Sequence, residues 1–373
     1  MTRAETPDRA AQVERAPKLR RGWTTGSCAT AAAKAAAAAL LGDAFPDPVE
    51  ITLPRGERVA FALAETSQGD GFASAGVVKD AGDDPDVTHG ALVRATVRHA
   101  EPGAGIVFRA GNGVGTITRP GLPLPPGEPA INPVPRAMIV AALAELGAHD
   151  MIVEVGIDNG EELAKRTLNA RLGIVGGLSV LGTTGIVVPY SCAAWIDTIH
   201  RGIDVARATG VAHIAGSTGS TSEAAVRALH ALPDIALIEM GDFVGGMLKY
   251  LRAHPVARMT IAGGVAKMTK LGQGRLDLHS RRGEADMEAL AALAREAGAS
   301  EGIANAIAHA NTVAAAFALA PLGDIVAARA WEVAADVLRP APVALEVALF
   351  DRAGALVGRA PFASVDHGRN LRR

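Results

Sequence analysis

Apolar positions alternate with polar ones in short runs between residues 49 and 110: VEITLP, RVAFALAE, ASAGVVKD, ALVRATVRHA and GIVFRAG. A period of two, with turn residues between the runs, predicts strands, so residues 43–120 predict an antiparallel or mixed sheet. Helical patterns flank them. TTGSCATAAAKAAAAALLG opens with Thr and Ser capping candidates and closes at Gly42. RAMIVAALAELG follows PGLPLPPGEPAINPVP, the most proline-dense stretch of the chain. From residue 151 the rhythm changes. MIVEVG, GIVVP, VAHIAG, IALIEMG and RMTIAGG read as short apolar strands, and SCAAWIDTIHRGIDVARATG, TSEAAVRALHAL and VGGMLKYLRAH as helices between the later ones. Such alternation predicts a mainly parallel sheet wrapped by helices. After EADMEALAALAREAG, two Ala-rich helices run to about Leu338, and PVALEVALFDRAGALVGRA predicts a hairpin turning at Asp351–Gly354.

The predicted class is α/β and α+β. Residues 1–18 are expected to form a disordered tail and 19–148 an α+β domain with a mixed or antiparallel sheet. A Rossmann-like, mainly parallel α/β domain is expected over 149–300. Residues 301–373 complete the chain with C-terminal helices and the β-hairpin, expected to pack back on the N-terminal domain.

Composition then excludes several classes. The uncharged run Leu172–Ile196 is long enough to cross a bilayer, but Gly182-Thr183-Thr184-Gly185 and Pro189 break it, and a spanning helix tolerates few such breakers. The N-terminal residues are charged and lack an apolar segment of signal-peptide type. A formal charge of −2 carries no global signature of nucleic-acid binding. Two cysteines, Cys28 and Cys192, without such a signal, fit a reduced cytoplasmic protein. No CxxC or HExxH spacing occurs, so no metal site is expected.

Ligands of an open parallel sheet sit beyond the carboxyl ends of its strands. Here those ends read AGSTGSTSE, EMGDFVGG and AGGVAKMTKLGQG. Free N–H groups at a helix start suit a carboxylate or phosphate, which singles out Gly216, Ser217, Gly241 and Asp242. Tight strand-to-helix turns would need the same glycines. Between Lys249 and Arg282 the only acid is Asp277, a basic field suited to a small polyanion or to a solvated surface. Lys267 and Lys270 lie within the glycine loop, and Arg275 just beyond. KDAGDDPDVTHG reads as an Asp-rich turn or a hard-cation site, with Lys79 and Asp80 placed to face a cleft. Asn132 and Arg136 sit between prolines on a stiff backbone, and Thr183, Thr184 and Gly185 form a loop that either approaches a ligand or turns the chain. GNGVG, followed by Pro120 and not by a helix, is no dinucleotide fingerprint. Cys192, with His200 or His213, would be the nucleophile of a Cys-dependent hydrolase or amidotransferase, although Ser-Cys-Ala-Ala before a helix also reads as a cap.

Six blocks carry a resemblance: RRGWTTGSCATAAAKAA, VVKDAGDDPDVTHG, GEPAINPVPRAMI, GLSVLGTTGIVVPYSCAAWIDTIHRGIDVARA, GDFVGGMLKYL and GGVAKMTKLGQGRLDLHS. Together, in this order, they resemble the CbiD family of cobalamin (vitamin B12) biosynthesis, strongly from Leu19 to His279 and more weakly beyond. The resemblance implies methyl transfer from S-adenosylmethionine to C-1 of cobalt-precorrin-5B, giving cobalt-precorrin-6A, with cobalt present only within the corrinoid substrate. On this reading Thr183, Thr184, Gly185, Gly216, Ser217, Gly241 and Asp242 hold the methyl donor. Lys79, Asn132, Arg136, Lys267, Lys270 and Arg275 meet the acidic macrocycle, and Asp80 or His279 manages a proton. No nucleic-acid or membrane partner is expected, and homo-oligomerisation stays open. The alternative is a non-catalytic corrinoid carrier, which would bind the macrocycle without the donor.

Overall fold

A computed structural model describes residues 19–280 and 283–365; the tail expected at 1–18 and the basic pair Arg281 and Arg282 lie outside the described residues. The chain is mixed α/β and divides into two compact units. Of the described residues, one gathers those within Met1–Thr116, Pro129–Thr167 and Gly176–Ser191, and the other those within Ile117–Glu128, Leu168–Val175 and Cys192–Arg373.

The first unit is built on a five-stranded sheet in the spatial order Glu65–Gly69, Phe72–Val78, Leu92–His99, Met151–Ile157, Ile106–Ala110. All pairings are antiparallel except that of Met151–Ile157 with Ile106–Ala110. Burial is one-sided. Val93, Ala95 and Val97, and on the next strand Met151, Val153, Val155 and Ile157, turn into the core while the residues between them stay partly open. The run MIVEVG, expected in the parallel domain, therefore belongs to the first sheet. Its strict alternation is the mark of a sheet with one wet face, whereas a strand covered by helices on both sides would be buried throughout. GIVVP is likewise displaced from the parallel sheet: Ile186–Val187 pairs with Gly22–Trp23 in this unit.

Helix Thr25–Leu40 lies on the buried face with Pro133–Ala144 beside it. Thr24 caps it by accepting the Ser27 N–H, and its alanines are buried on nearly every side. Only small side chains allow sheet and helix to close in on it from both directions; an added methyl group or two in such packing costs about 1–3 kcal/mol.

The second unit carries a sheet in the order Leu237–Glu239, His213–Ser217, Arg258–Gly264, Ala344–Phe350, Leu356–Ser364. The first four strands are parallel and the last is antiparallel. The C-terminal hairpin, expected on the first sheet, thus extends this one. The reason lies in its first strand, whose apolar run is buried along almost its whole length and so needs cover on both faces.

The two faces of this sheet differ. Ile214, Met259, Ile261, Leu345, Val347 and Leu349 face a large core closed by helices Val244–Ala253, Val265–Gly272 and Gly323–Leu338. Ala215, Ala262 and Ala348 face the single helix Ser220–His230 through Val226. Thr260 and Glu346 share that second face by the two-residue period of the strands, and Glu346 is fully buried. Its carboxylate accepts from His230 Nε2 at 2.6 Å, Thr260 Oγ1 at 2.7 Å and Arg359 Nε at 2.7 Å.

Candidate functional site

Chain topology opens a crevice in the second unit. The helix after His213–Ser217 packs on one face of the sheet and the helix after Arg258–Gly264 on the other, so the two connections diverge above the carboxyl edge. Ligands of open α/β sheets bind at such a divergence. A cleft of about 230 Å³ lies there, lined by Thr218, Gly219, Ser220, Thr221, Ser222, Gly264, Phe350 and Asp351. Pockets that enclose a drug-sized molecule measure roughly 300–1,000 Å³, so this cleft has room for no more than one end of a nucleoside-sized ligand.

The wall is hydroxyl-rich and positively polarised. Gly219 precedes helix Ser220–His230, whose first N–H groups have no partner within the helix. Ser217 points to the same face of the sheet as this helix by register with Ala262 and Ala348. It is fully buried, and its hydroxyl finds no hydrogen-bond partner. Asp351 is engaged in the hairpin turn, its Oδ1 accepting from the Ala353 and Ala355 N–H groups at 2.8 Å.

Beside the cleft, the loop after Leu237–Glu239 is tied to the neighbouring strand by Met240 and Gly241 N–H groups donating to the Ser217 carbonyl at 3.0 and 3.1 Å. Asp242 follows. Lys267 Nζ lies 3.1 Å from Asp242 Oδ1 without hydrogen-bond geometry to it, and donates to the Thr218 carbonyl at 2.8 Å. The distance marks an electrostatic pair, and the geometry leaves an acceptor open. Gly216, Ser217, Gly241, Asp242 and Lys267, expected from the sequence, are thus brought together at one sheet edge.

Other expected residues have structural partners. Lys79 is 3% exposed and bonds Asp86 and Thr88 at 2.5 Å, which spends its charge inside the Asp-rich turn. Arg20 donates to both oxygens of Asp80, at 2.5 and 2.9 Å, and the Gly82 N–H donates at 2.9 Å. These bonds, Arg20 first, hold the Asp80 carboxyl at about 2, so it is a poor proton acceptor at neutral pH. Arg136 donates to the Ile131 and Pro129 carbonyls at 2.8 and 3.0 Å and lies over the Phe108 ring, clamping the start of helix Pro133–Ala144. Asn132 is the residue before that helix, without a side-chain cap bond.

Thr184 Oγ1 donates to the Ile186 carbonyl at 3.1 Å. Gly185, at φ +83°, offers its carbonyl to the Thr24 N–H and the Ser27 hydroxyl. The Thr183–Gly185 loop therefore secures the start of helix Thr25–Leu40. Lys270 is 8% exposed and donates to the Leu278 carbonyl at 3.2 Å. Arg275 packs against Gly283, and His279 is exposed, with its backbone N–H donating to Asp277 Oδ1 at 3.1 Å.

The sequence did not single out Thr218, the Ser220–Ser222 hydroxyls, Gly264 or Phe350. Phe350 was hidden by the expectation that its strand belonged to the other sheet. The Ser-Thr-Gly-Ser-Thr-Ser run was a usable signal for the others. Among the described residues no group of three or more His, Cys, Asp or Glu side chains could hold a metal ion, and no helix is long and apolar enough to cross a membrane.

Comparison with known proteins places this chain in a family. Residues 12–189 match the family model CbiD, and residues 277–361 match the model "CbiD, C-terminal domain". The cobalt-precorrin-5B C(1)-methyltransferase of Agrobacterium fabrum is 64% identical over 348 residues, covering 91% of this chain and 93% of its own. The protein of the same name from Methylorubrum extorquens is 61% identical over 349 residues, covering 91% and 97%. A crystal structure of the cobalamin biosynthesis protein (cbiD) from Archaeoglobus fulgidus aligns at 29% identity over 75% of this chain and 85% of that one, with a TM-score of 0.38. Identity at this level over nine-tenths of both sequences spans the two units alike, and the chain belongs to the CbiD family.

Proposed function

We propose that this protein methylates C-1 of cobalt-precorrin-5B, with S-adenosylmethionine as donor. The observation that carries the placement of the donor is the cleft at the carboxyl edge of the second sheet, where hydroxyls and a helix start meet an open carboxylate acceptor. The helix start at Ser220 and Thr221, with Thr218, takes the carboxylate of the donor's amino-acid end. Asp242 accepts from a ribose hydroxyl, as an acid after the second strand does in nucleotide-binding sheets. Lys267, 36% exposed at its side chain, meets an acidic side chain of the macrocycle.

The chemistry asks little else of the protein. An electron pair on the macrocycle carbon forms the new C–C bond as the methyl–sulfur bond breaks, and that bond's pair stays on sulfur as a neutral thioether. No side-chain nucleophile takes part, and orientation of the two reactants supplies much of the acceleration. His279 remains the candidate for handling a proton, whereas Asp80 is withdrawn because Arg20 makes its carboxylate too weak a base to take one up at neutral pH. Lys270 and Arg136 act as clamps on the backbone in this reading.

Incubation with cobalt-precorrin-5B and methyl-labelled S-adenosylmethionine tests the function. One labelled methyl group on ring A of the recovered corrinoid is the expected result. An unmodified corrinoid, with folded protein and authentic substrate, overturns it. A non-catalytic carrier would bind the corrinoid without any response to S-adenosylhomocysteine.

A further inference from the structure

Trp195 stands one turn into helix Cys192–Ala208 and differs from the other two tryptophans. Trp331 is 8% exposed, with its indole N–H on the Leu345 carbonyl, and Trp23 packs edge-on against Phe61 in the first unit's core. Trp195 is 44% exposed. Its position is nevertheless fixed, because Nε1 donates to the Glu239 carbonyl at 3.3 Å. Glu239 ends the strand whose following loop carries Gly241 and Asp242. A Cβ built on Gly241 would lie 3.5 Å from Trp195 Nε1, so the loop backs directly onto the indole. Among the described residues no other aromatic ring stacks on it.

An indole anchored by its polar edge and left bare on its surface is an unusual expenditure in a chain with only 3% aromatic residues. Fixed aromatic surface of this kind suits a flat, conjugated ligand. The loop it borders is bonded to the Ser217 carbonyl on one side and carries the open Asp242 acceptor on the other. In the reading above that acceptor takes the ribose.

We infer that Trp195 is a binding residue for the purine of the methyl donor, stacking on the base while Asp242 holds the sugar. The inference rests on the proposed placement of the donor in this cleft. It adds a residue with no polar role and a defined chemical class of ligand, an adenine nucleoside.

The test uses the full-length protein and S-adenosylhomocysteine, which binds without reacting. Titration should quench the emission of the exposed tryptophan, and Trp195→Phe should abolish that quench while keeping affinity within about threefold. Trp195→Ala should raise the dissociation constant about tenfold or more, with an equal loss for 5′-methylthioadenosine and none for the corrinoid titrated alone. The Phe variant guards against a folding defect in the Ala variant. Unchanged affinity for S-adenosylhomocysteine in Trp195→Ala overturns the assignment. So does a loss confined to the corrinoid, which would make the indole a platform for the macrocycle. If the unsubstituted protein does not bind S-adenosylhomocysteine, the donor placement itself falls, and this inference with it. If binding persists but Asp242→Asn alone weakens it, the donor placement stands and only the Trp195 role fails.

Discussion

Glu346→Ala is expected to destabilise the second unit severely, through a network remote from the ligand cleft. The carboxylate is fully buried and accepts from three donors. Each keeps or loses its partner differently on truncation. Thr260 still reaches His213 Nε2 at 2.8 Å. The Arg359 side chain is 39% exposed and can turn to water, whereas the His230 side chain is 14% exposed and loses its acceptor. Removing one partner of a buried ion pair costs about 3–5 kcal/mol, and the partial rehydration of Arg359 places this case near the lower end. At about 2–4 °C per kcal/mol for a unit of this size, the melting temperature should fall by about 6–12 °C. Calorimetry with urea titration as a check is the suitable assay. Glu346→Gln, which keeps the shape and one acceptor, should lose about half as much. A Glu346→Ala protein melting within about 2 °C of the parent would refute the account, as would a Gln variant less stable than the Ala variant.

Other consequences can be checked separately. Burial, and next the His230 ring 4.8 Å away, push His213 down to about 4 from an ordinary 6.5, although Glu346 opposes the shift. The unfolded chain then binds the extra proton first, so this contribution to stability is complete above pH 6.5 and is lost as pH falls toward 4; urea titrations across that window should show the slope, and His213→Gln should flatten it. Gly323→Ala should abolish or severely reduce soluble folded protein, because the added carbon would sit 1.6 Å from the Val357 carbonyl oxygen; a thermal transition within a few degrees of the parent would contradict the packing. Asp80→Asn should leave kcat within about threefold, against the roughly 10²–10⁴-fold expected on removing a general base; a loss of that size with an altered pH–rate profile would restore Asp80 to the reaction.

Much of the fold was legible because local pattern and local structure share a cause. The alternating runs at Val49–Thr52, Leu92–His99 and Ile106–Ala110 form strands, and the helices from Cys192, Ser220 and Val244 start within a residue or two of their capping or glycine signals. Sheet membership was not legible. MIVEVG and EVALF each read as a strand, but which neighbours they meet is decided by packing against segments dozens of residues away. The site followed the same division. The glycine loops after the parallel strands announced a ligand edge, and Asp242 was found on one of them, whereas Lys267 and Lys270, expected within the third loop, lie in helix Val265–Gly272 because that helix starts directly after Gly264. Lys79, Asp80 and Arg136 looked just as available in sequence, but the structure supplies each with an internal partner. Trp195 gave no local signal, because the same residue at the same helical position would normally be turned inward.

The second sheet waits for strand Leu356–Ser364. Strand Arg258–Gly264 has Ala344–Phe350 as its neighbour on one side, and that strand's outer edge is closed only by Leu356–Ser364. During synthesis some eighty residues must therefore emerge after Gly264 before its free edge is capped, and a largely apolar run, interrupted by Glu346, then needs Leu356–Ser364 to pair with it. Unpaired edges of this kind recruit other chains. A message truncated anywhere before Leu356–Ser364 should yield aggregate in place of a smaller folded protein, and the nascent protein should depend on chaperones until that strand has emerged.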